Sequence, residues 1–495
     1  MRIAFINPAM VFDPKDPFTT GVVYLPIGLA YGAAAARSAD HSTLVLDVFG
    51  SAPTRATRDG GLIRLGLQDR DVVQWVSDAE PELVVFYANQ VMNHDVLVAS
   101  ISAVRQAHPG LRIAVAENSQ AVTAYQVTTV AKTFFDVGVD YLISGEMELR
   151  ILTVIDSLTD GTPFDDADGI STPYQSKPAT ASVERLDLLP FPAWDLFPLE
   201  NYWHLKYAHG PFTSERYLPM LTSRGCPFPC RFCVIPATNN RRWRARSPES
   251  VTDEIAWLVD NFGVREFHLE DVNPTISDTR IRDLCQRIIS DGLQVTWKIV
   301  AGTKLESMKS MSTVRLMHDA GCRYVSISPE SGSTELLRKI GKPFDVDYAL
   351  EFVRFCSRIG IRTQTCFVLG FPEETAADRR LSLRLVRSLT WAGVDEIAVF
   401  VIAPVPGSAI YDEFAGDAPA LSALSFSPSW RTDFRQLSRV RLWMYANFLA
   451  IKAVRHPVTV AHQAGNYVRR RFETKMEMVP FRARQYRRLA RSASV

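Results

Sequence analysis

Cys226, Cys230 and Cys233 form a C-x3-C-x2-C run, and no other stretch limits the fold as strongly. On a helix or a strand, thiols at this spacing would point in different directions, so only a loop can turn them toward one centre. The local sequence supplies such a loop. Pro227 and Pro229 lie between the first two cysteines, Gly225 precedes them and Pro236 follows. Three ligands leave a tetrahedral site one short. A [4Fe-4S] cluster held this way keeps one iron free for a small molecule, whereas a structural zinc needs paired C-x2-C hooks and a fourth Cys or His at suitable spacing, which is missing.

At 495 residues and 47% hydrophobic content, the chain can fill two or three domain cores. A formal net charge of +1 gives no global pull toward nucleic acid or an acidic substrate. The remaining cysteines, Cys285, Cys322, Cys356 and Cys366, show no disulfide-framework spacing, and a reducing cytoplasm is the expected location. MRIAFINP reads as a first strand, so neither a signal peptide nor a transmembrane anchor is expected.

Residues 1–150 alternate short β-rich runs with helical stretches. Strands are expected over 3–6, 44–48, 83–87, 112–116 and 141–144, with helices over 27–36 and 96–106. This pattern predicts an α/β, Rossmann-like, doubly wound parallel sheet whose ligands sit beyond the carboxyl ends of the strands. On that rim fall Asn7, Asp47, Asn89 and His94 of the 88–94 loop, Asn118 and Ser119 of the 117–120 loop, and Gly145-Glu146. No G-x-G-x-x-G follows the first strand, which argues against a nicotinamide or flavin dinucleotide.

Residues 151–215 read as a helix followed by a linker that prolines 190, 192 and 198 make a stiff strap. Over 216–425 a strand, loop and helix recur six times. Strands are expected at 220–223, 266–269, 295–300, 324–328, 362–369 and 396–402, the first kept short by Pro219 on its N-terminal side. Pro248 to Phe262 predicts a helix with Ser247 as N-cap. Residues 426–495 read as helical, and the arginines beyond Tyr467 allow a solvated helix, attachment to an anionic membrane or, least favoured, nucleic-acid contact.

The cysteine spacing resembles that of the radical S-adenosylmethionine (SAM) enzymes. The resemblance implies that SAM chelates the free iron through its amino and carboxylate groups, and that reduction of the cluster yields a 5'-deoxyadenosyl radical. It also implies a partial (β/α)6 barrel of TIM type with functional loops on the carboxyl-end face. Further segments match the family in order. Ser328-Pro329-Glu330-Ser331-Gly332 resembles G-x-E-S-G, placing Glu330 and Ser331 near SAM with Ser328 at the motif's first glycine. Gly370-Phe371-Pro372-Glu373-Glu374-Thr375 resembles G-F-P-x-E-T, and Pro404-Val405-Pro406-Gly407-Ser408 resembles P-x-P-G-T at the adenine side. Phe232 stands where an aromatic stacks near adenine or covers the cluster. Glu270 and Asp271, after the second barrel strand, can accept hydrogen bonds from SAM or can cap a turn. Arg224, Arg231, Arg241, Arg242, Arg244 and Arg246 put positive charge near the cysteines, open to the cluster, to a reductant or to an anionic substrate group.

The first domain is similar to the cobalamin-binding domain of one large radical SAM subfamily. Pro26-Ile27-Gly28-Leu29-Ala30, Ser144-Gly145-Glu146 and the connector Leu189-Pro190-Phe191-Pro192-Ala193-Trp194-Asp195 carry the likeness. Glu117-Asn118-Ser119-Gln120 departs from the subfamily's Gly-Gly-Pro-His. The D-x-H-x-x-G motif of methionine-synthase-like domains is missing, so His94 is left as an axial ligand, a corrin neighbour or a surface residue. The resemblance implies a methyltransferase that carries a methyl group from SAM through methylcobalamin to an unactivated carbon of a small natural-product or lipid-like substrate. Cyclisation or oxidative rearrangement is the alternative, and a non-catalytic scaffold a third. A reductant such as flavodoxin or ferredoxin is the expected partner.

Overall fold

The computed structural model describes residues 1–121, 123–161, 167–308, 310–414 and 420–493. β1 (Arg2–Asn7), β2 (Ser42–Asp47), β3 (Leu83–Ala88), β4 (Arg112–Glu117) and β5 (Tyr141–Ile143) lie parallel in the order β2-β1-β3-β4-β5, and Ile170–Ser171 adds an antiparallel edge. Helices cover both faces, which is why β3 reads as an unbroken apolar run and is buried along its whole length. The strand order reverses between β1 and β3, the switch point where open α/β sheets bind ligands. Asn7 and Asn89 stand at that point.

Between the first strand and the first helix, residues 8–26 hold a further strand. Met10–Phe12 joins Ala56–Asp59 and Leu62–Leu65 in a small antiparallel sheet. The second domain is built from β6 (Leu218–Met220), β7 (Glu266–Leu269), β8 (Thr296–Thr303), β9 (Cys322–Glu330), β10 (Arg362–Leu369) and β11 (Glu396–Val401), all parallel and neighbours in chain order. Among the described residues nothing pairs β6 with β11, so the barrel wall is open on that side.

Pro219 sits inside β6 rather than before it. The Glu270 N–H donates to Met220 O at 3.0 Å, so alternation turns the Pro219 backbone to the free edge, where a missing N–H is harmless. Helix Pro248–Phe262 forms as its cap signal requires. Ser247 Oγ accepts from Ser250 N at 3.1 Å, an interaction worth about 1 kcal/mol.

The linker packs as a strap. Trp194 is buried, Arg37 pairs with Asp195 at 2.7 Å, and Tyr202 donates its hydroxyl to Asp47 at 2.6 Å. At the C-terminus stand helices Phe434–Arg455, Pro457–Arg469 and Lys475–Ser492. The last of these is more than a solvated or membrane-facing tail, because one face of it ties the two domains together. Tyr486 stacks on Phe12 at 4.3 Å and donates to Gly21 O at 2.7 Å, while Phe481 packs near Tyr207. Arg484, Arg487, Arg488 and Arg491 occupy its outer face. One apolar core runs from Ile3 through Trp194 and the barrel to Tyr486. Among the described residues no helix is long and apolar enough to cross a membrane.

Candidate functional site

The three cysteines lie in a loop whose neck is a two-residue antiparallel pairing of Ser223–Arg224 with Arg244–Ala245. Gly225 begins the loop with φ +76° and only 2.0 Å between an ideal Cβ position and Arg242 O, so no other residue fits there. Trp243 Nε1 donates to Asn273 O at 3.0 Å, and Arg231 N donates to Ile340 O at 3.1 Å. None of the three cysteines is in a disulfide, and all are partly exposed. Burial pushes their thiols up, Cys233 to about 12. Among the described residues no three His, Cys, Asp or Glu converge tightly enough for a single ion.

Cover and charge surround the loop. Phe232 meets Phe371 edge-on at 5.5 Å, and the Lys342 ammonium lies 5.8 Å from the Phe232 ring centre. Lys342 pairs with Glu330 at 2.5 Å. Burial works against that ammonium, but Glu330 and the neighbouring thiols outweigh it and its pKa is raised. Glu330 takes φ +61°, a left-handed conformation that costs a non-glycine residue about 1 kcal/mol or more. Ser331 turns away, sharing a 3.1 Å hydrogen bond with Ser382. Gly370 donates its N–H to Glu374 at 2.7 Å, and Pro404 is buried in the segment that meets the first domain, where Gln126 N donates to Pro406 O at 2.9 Å.

Most arginines near the cysteines are already paired. Arg224 bridges Glu148 at 2.6 Å and Glu146 at 3.3 Å, and Arg244 reaches Glu146 at 2.9 Å. All four side chains are at most 7% exposed, so this cluster clamps the first domain to the cysteine loop. Burial pushes the Glu146 carboxyl up, yet Arg224 and Arg244 hold it below its usual range. Glu146 is thus a clamp residue and not an open rim group. Arg246 pairs with Glu254, and Arg242 with Glu184 at 2.7 Å.

Other rim residues are also engaged. Asn7 Nδ2 donates to Asp47 at 2.8 Å, Asn89 Nδ2 donates to Asn7 Oδ1 at 2.9 Å, and Asp47 also accepts from Gly50 N and Tyr202. Gly28 packs on the Tyr87 hydroxyl, with 2.4 Å from an ideal Cβ to that oxygen, and Gly145 N donates to Glu117 at 3.0 Å. His94 is not on the rim. It is 3% exposed, with Nδ1 at 3.0 Å from the Tyr125 hydroxyl and Nε2 at 3.0 Å from Thr133 Oγ1, so both ring nitrogens are occupied. Facing the barrel are Asn118, Ser119 and Gln120 in one crevice and Thr19, Gln90, Thr123 and Val405 in another of about 50 Å³. Amides, hydroxyls and apolar side chains line both crevices, and Glu117, Glu148 and Arg224 also border the first.

Inside the barrel, β7 aims Glu266, His268 and Glu270 at the interior. Lys298 closes the floor by donating to Glu266 at 2.8 Å and to Pro211 O at 2.7 Å. Above it His209 Nδ1 lies 2.7 Å from Glu270, with the Tyr24 ring 4.5 Å from the imidazole centre. Ser326 donates to Gln364 at 2.8 Å, Cys366 is 3.7 Å from Ser326, and Ser328 lies beside Gly302. Asp271 points elsewhere, accepting from Thr222 N at 3.0 Å and from Ser223 Oγ at 2.6 Å. Sequence reasoning missed Lys342, His209 and Tyr24, each single in its segment and outside any motif.

Residues 220–386 match the Radical SAM superfamily. The chain is 26% identical over 458 residues to a cytidylyl-2-hydroxyethylphosphonate methyltransferase of Streptomyces wedmorensis, covering 83% of this chain and 81% of that protein. It is 27% identical over 278 residues to an uncharacterized methyltransferase of Pyrococcus horikoshii, covering 55% of this chain and 58% of the relative, so it spans little more than half that relative's length. Its fold is similar to that of the radical SAM methyltransferase TsrM of Kitasatospora setae, with TM-score 0.64, 18% identity, and coverage of 83% of this chain and 75% of TsrM. TsrM has also been solved with cobalamin and a [4Fe-4S] cluster bound.

Proposed function

We propose, from the premise that this chain belongs to the radical SAM superfamily and has the two-domain fold of its cobalamin-dependent members, that it is a methyltransferase. It moves a methyl group from SAM, by way of cobalamin, to an unactivated carbon of a small natural-product or lipid-like substrate. One observation carries the reading. Gln120 of the first-domain rim is hydrogen-bonded to Gly225 and Asn239 of the cysteine loop, so the rim faces that loop directly, as transfer between two cofactors would need. The Streptomyces methyltransferase, aligned across both domains, supports it.

A cluster with SAM supplies radical chemistry, and a bound corrinoid supplies a methyl carrier. This chain's own residues position and protect. Cys226, Cys230 and Cys233 would hold the cluster. Phe232 and Phe371 keep water from the site, and the turns at 328–331 and 370–374 shape the SAM side. Asn118, Ser119, Gln90 and Thr123 would meet the corrin periphery. His209 Nδ1 and Glu270 Oε2 lie 2.7 Å apart, a hydrogen-bonded pair that a polar substrate group can engage. The electron comes from a reductant protein such as flavodoxin or ferredoxin.

The test is an anaerobic reaction with CD3-labelled SAM, cobalamin, strong reductant and candidate substrates. A product carrying the labelled methyl is the expected result. 5'-Deoxyadenosine with an altered but unmethylated product would replace methylation by ring formation or rearrangement. A reconstituted cluster that never cleaves SAM would overturn both.

A further inference from the structure

Two cations on the last helix, Lys475 and Arg482, have no carboxylate within ion-pair distance among the described residues, although Glu396 and Glu270 act on Lys475 from further off. Lys475 opens the last helix and reaches into the barrel, where its hydrogen bond is to Val300 O at 3.5 Å. Arg482, two turns on, is 2% exposed, donates to Phe18 O at 2.7 Å, and has its Nε buried without a partner. Among the described residues neither forms an ion pair. The carboxylate that Lys475 feels most is Glu396, whose oxygens already accept from the Tyr324 hydroxyl and from Met476 N at 2.9 Å. Arg482 feels Asp16, whose carboxylate is taken by Thr19 Oγ1 at 2.7 Å. Glu270 is held by His209 at 2.7 Å.

Burying a charge without a partner costs several kcal/mol, so a folded chain keeps a cation as buried as Arg482 only if something pairs with it, and the half-buried Lys475 adds a second positive charge seven residues away on the same helix. Each influences the other, both influence His209, and Lys475 also influences Cys366. Lys475 reaches Val300 O, Val300 packs on Gly210 next to His209, and His209 carries Glu270 and Tyr24, so Lys475 borders the chamber that they line, with Arg482 two turns on along the same helix. Tyr24 and His209 add a hydroxyl and a ring nitrogen, groups that hydrogen-bond phosphoryl oxygens.

We propose that Lys475 and Arg482 form a subsite for a doubly charged oxyanion, the phosphoryl-type group of a small substrate whose reacting carbon lies toward the cysteine loop. The proposal rests on the chamber being the substrate site. Binding is read without turnover, so a protein that binds the anion but transfers no methyl refutes the methyltransferase reading alone.

The experiment is equilibrium dialysis of cluster-reconstituted protein against radiolabelled inorganic phosphate. Saturable binding to one site is expected, weakened about ten-fold or more in Lys475→Gln and in Arg482→Met, as loss of a charge-assisted pair implies. Arg488→Gln, on the outer face of the same helix, is expected to bind as the parent does. Lys475 is only half-buried, so Lys475→Gln decides the matter if Arg482→Met does not fold. Absence of saturable binding, parental affinity in Lys475→Gln, or equal weakening in Arg488→Gln would overturn the subsite.

Discussion

Gln120 of the first domain and Gly225 of the second are joined directly: Gln120 Oε1 accepts the Gly225 N–H at 3.2 Å, one residue before Cys226. The same side chain donates from Nε2 to Asn239 at 2.9 Å, so one amide fixes both ends of the cysteine loop to the rim. Replacing it with alanine should leave three thiols able to hold a cluster but loosen the facing of the domains. Gln120→Ala is expected to lower stability by about 1–3 kcal/mol and to raise the ratio of 5'-deoxyadenosine to methylated product several-fold, measured in one anaerobic time course.

Gly225→Ala is expected to abolish cluster incorporation. A methyl group there meets Arg242 O at 2.0 Å on a φ of +76°, so the loop must leave its neck. Iron content after reconstitution reads the outcome, and normal iron content would show that the neck tolerates displacement.

Alanine at Cys226, Cys230 or Cys233 should each remove the cluster and all SAM cleavage, whereas Cys366→Ala should retain both. The first three share a loop, while Cys366 lies in the wall strand β10 beside Ser326. Absorbance and iron content of the four variants separate the groups.

Arg224→Met should destabilise the protein by about 3–5 kcal/mol, because it strands Glu148 at the domain interface and leaves Glu146 to Arg244 alone. Glu148→Gln in the same chain should recover part of that loss, since one stranded charge is gone. Denaturant midpoints of the two single variants and the double variant supply the coupling energy.

His94 makes the first domain sensitive to acid. Burial, opposed weakly by Asp95, lowers its pKa from 6.5 to about 4, so it stays neutral in the folded chain while the unfolded chain takes up a proton first. Its contribution is therefore intact above pH 6.5, is lost as pH falls toward 4, and is flat below. Between pH 7 and pH 5 the loss should be about 2 kcal/mol, relative to His94→Gln, in urea unfolding.

The strands Glu266–Leu269 and Arg362–Leu369 and the helix Pro248–Phe262 were legible because each carries its own signal: a short β-rich run, or a serine cap followed by proline. The cysteine loop was legible from spacing alone. Residues 10–12 were not, since three residues show no periodicity and gain their structure only from pairing with 62–65. The partners of the rim residues were equally invisible. Asn7 and Asp47 stand at adjacent strand ends, as the alternation foretells, but the Tyr202 hydroxyl that saturates Asp47 arrives from 155 residues away. His94 failed as a rim residue because it begins a helix that turns its ring inward toward Phe134. The arginines around the cysteines could not be divided from sequence, because Glu146, Glu148 and Glu254 claim them through tertiary contacts.

Pro219 has a consequence for how this molecule can diversify. With no amide proton on the outer margin of β6, the wall cannot recruit a seventh strand, and the breach beside it stays permanent. Whatever segment of chain stoppers that breach becomes part of the chamber lining without belonging to the cysteine loop. Descendants of such a chain can exchange the stopper, and with it the molecule they accept, while the iron-binding loop stays as it is.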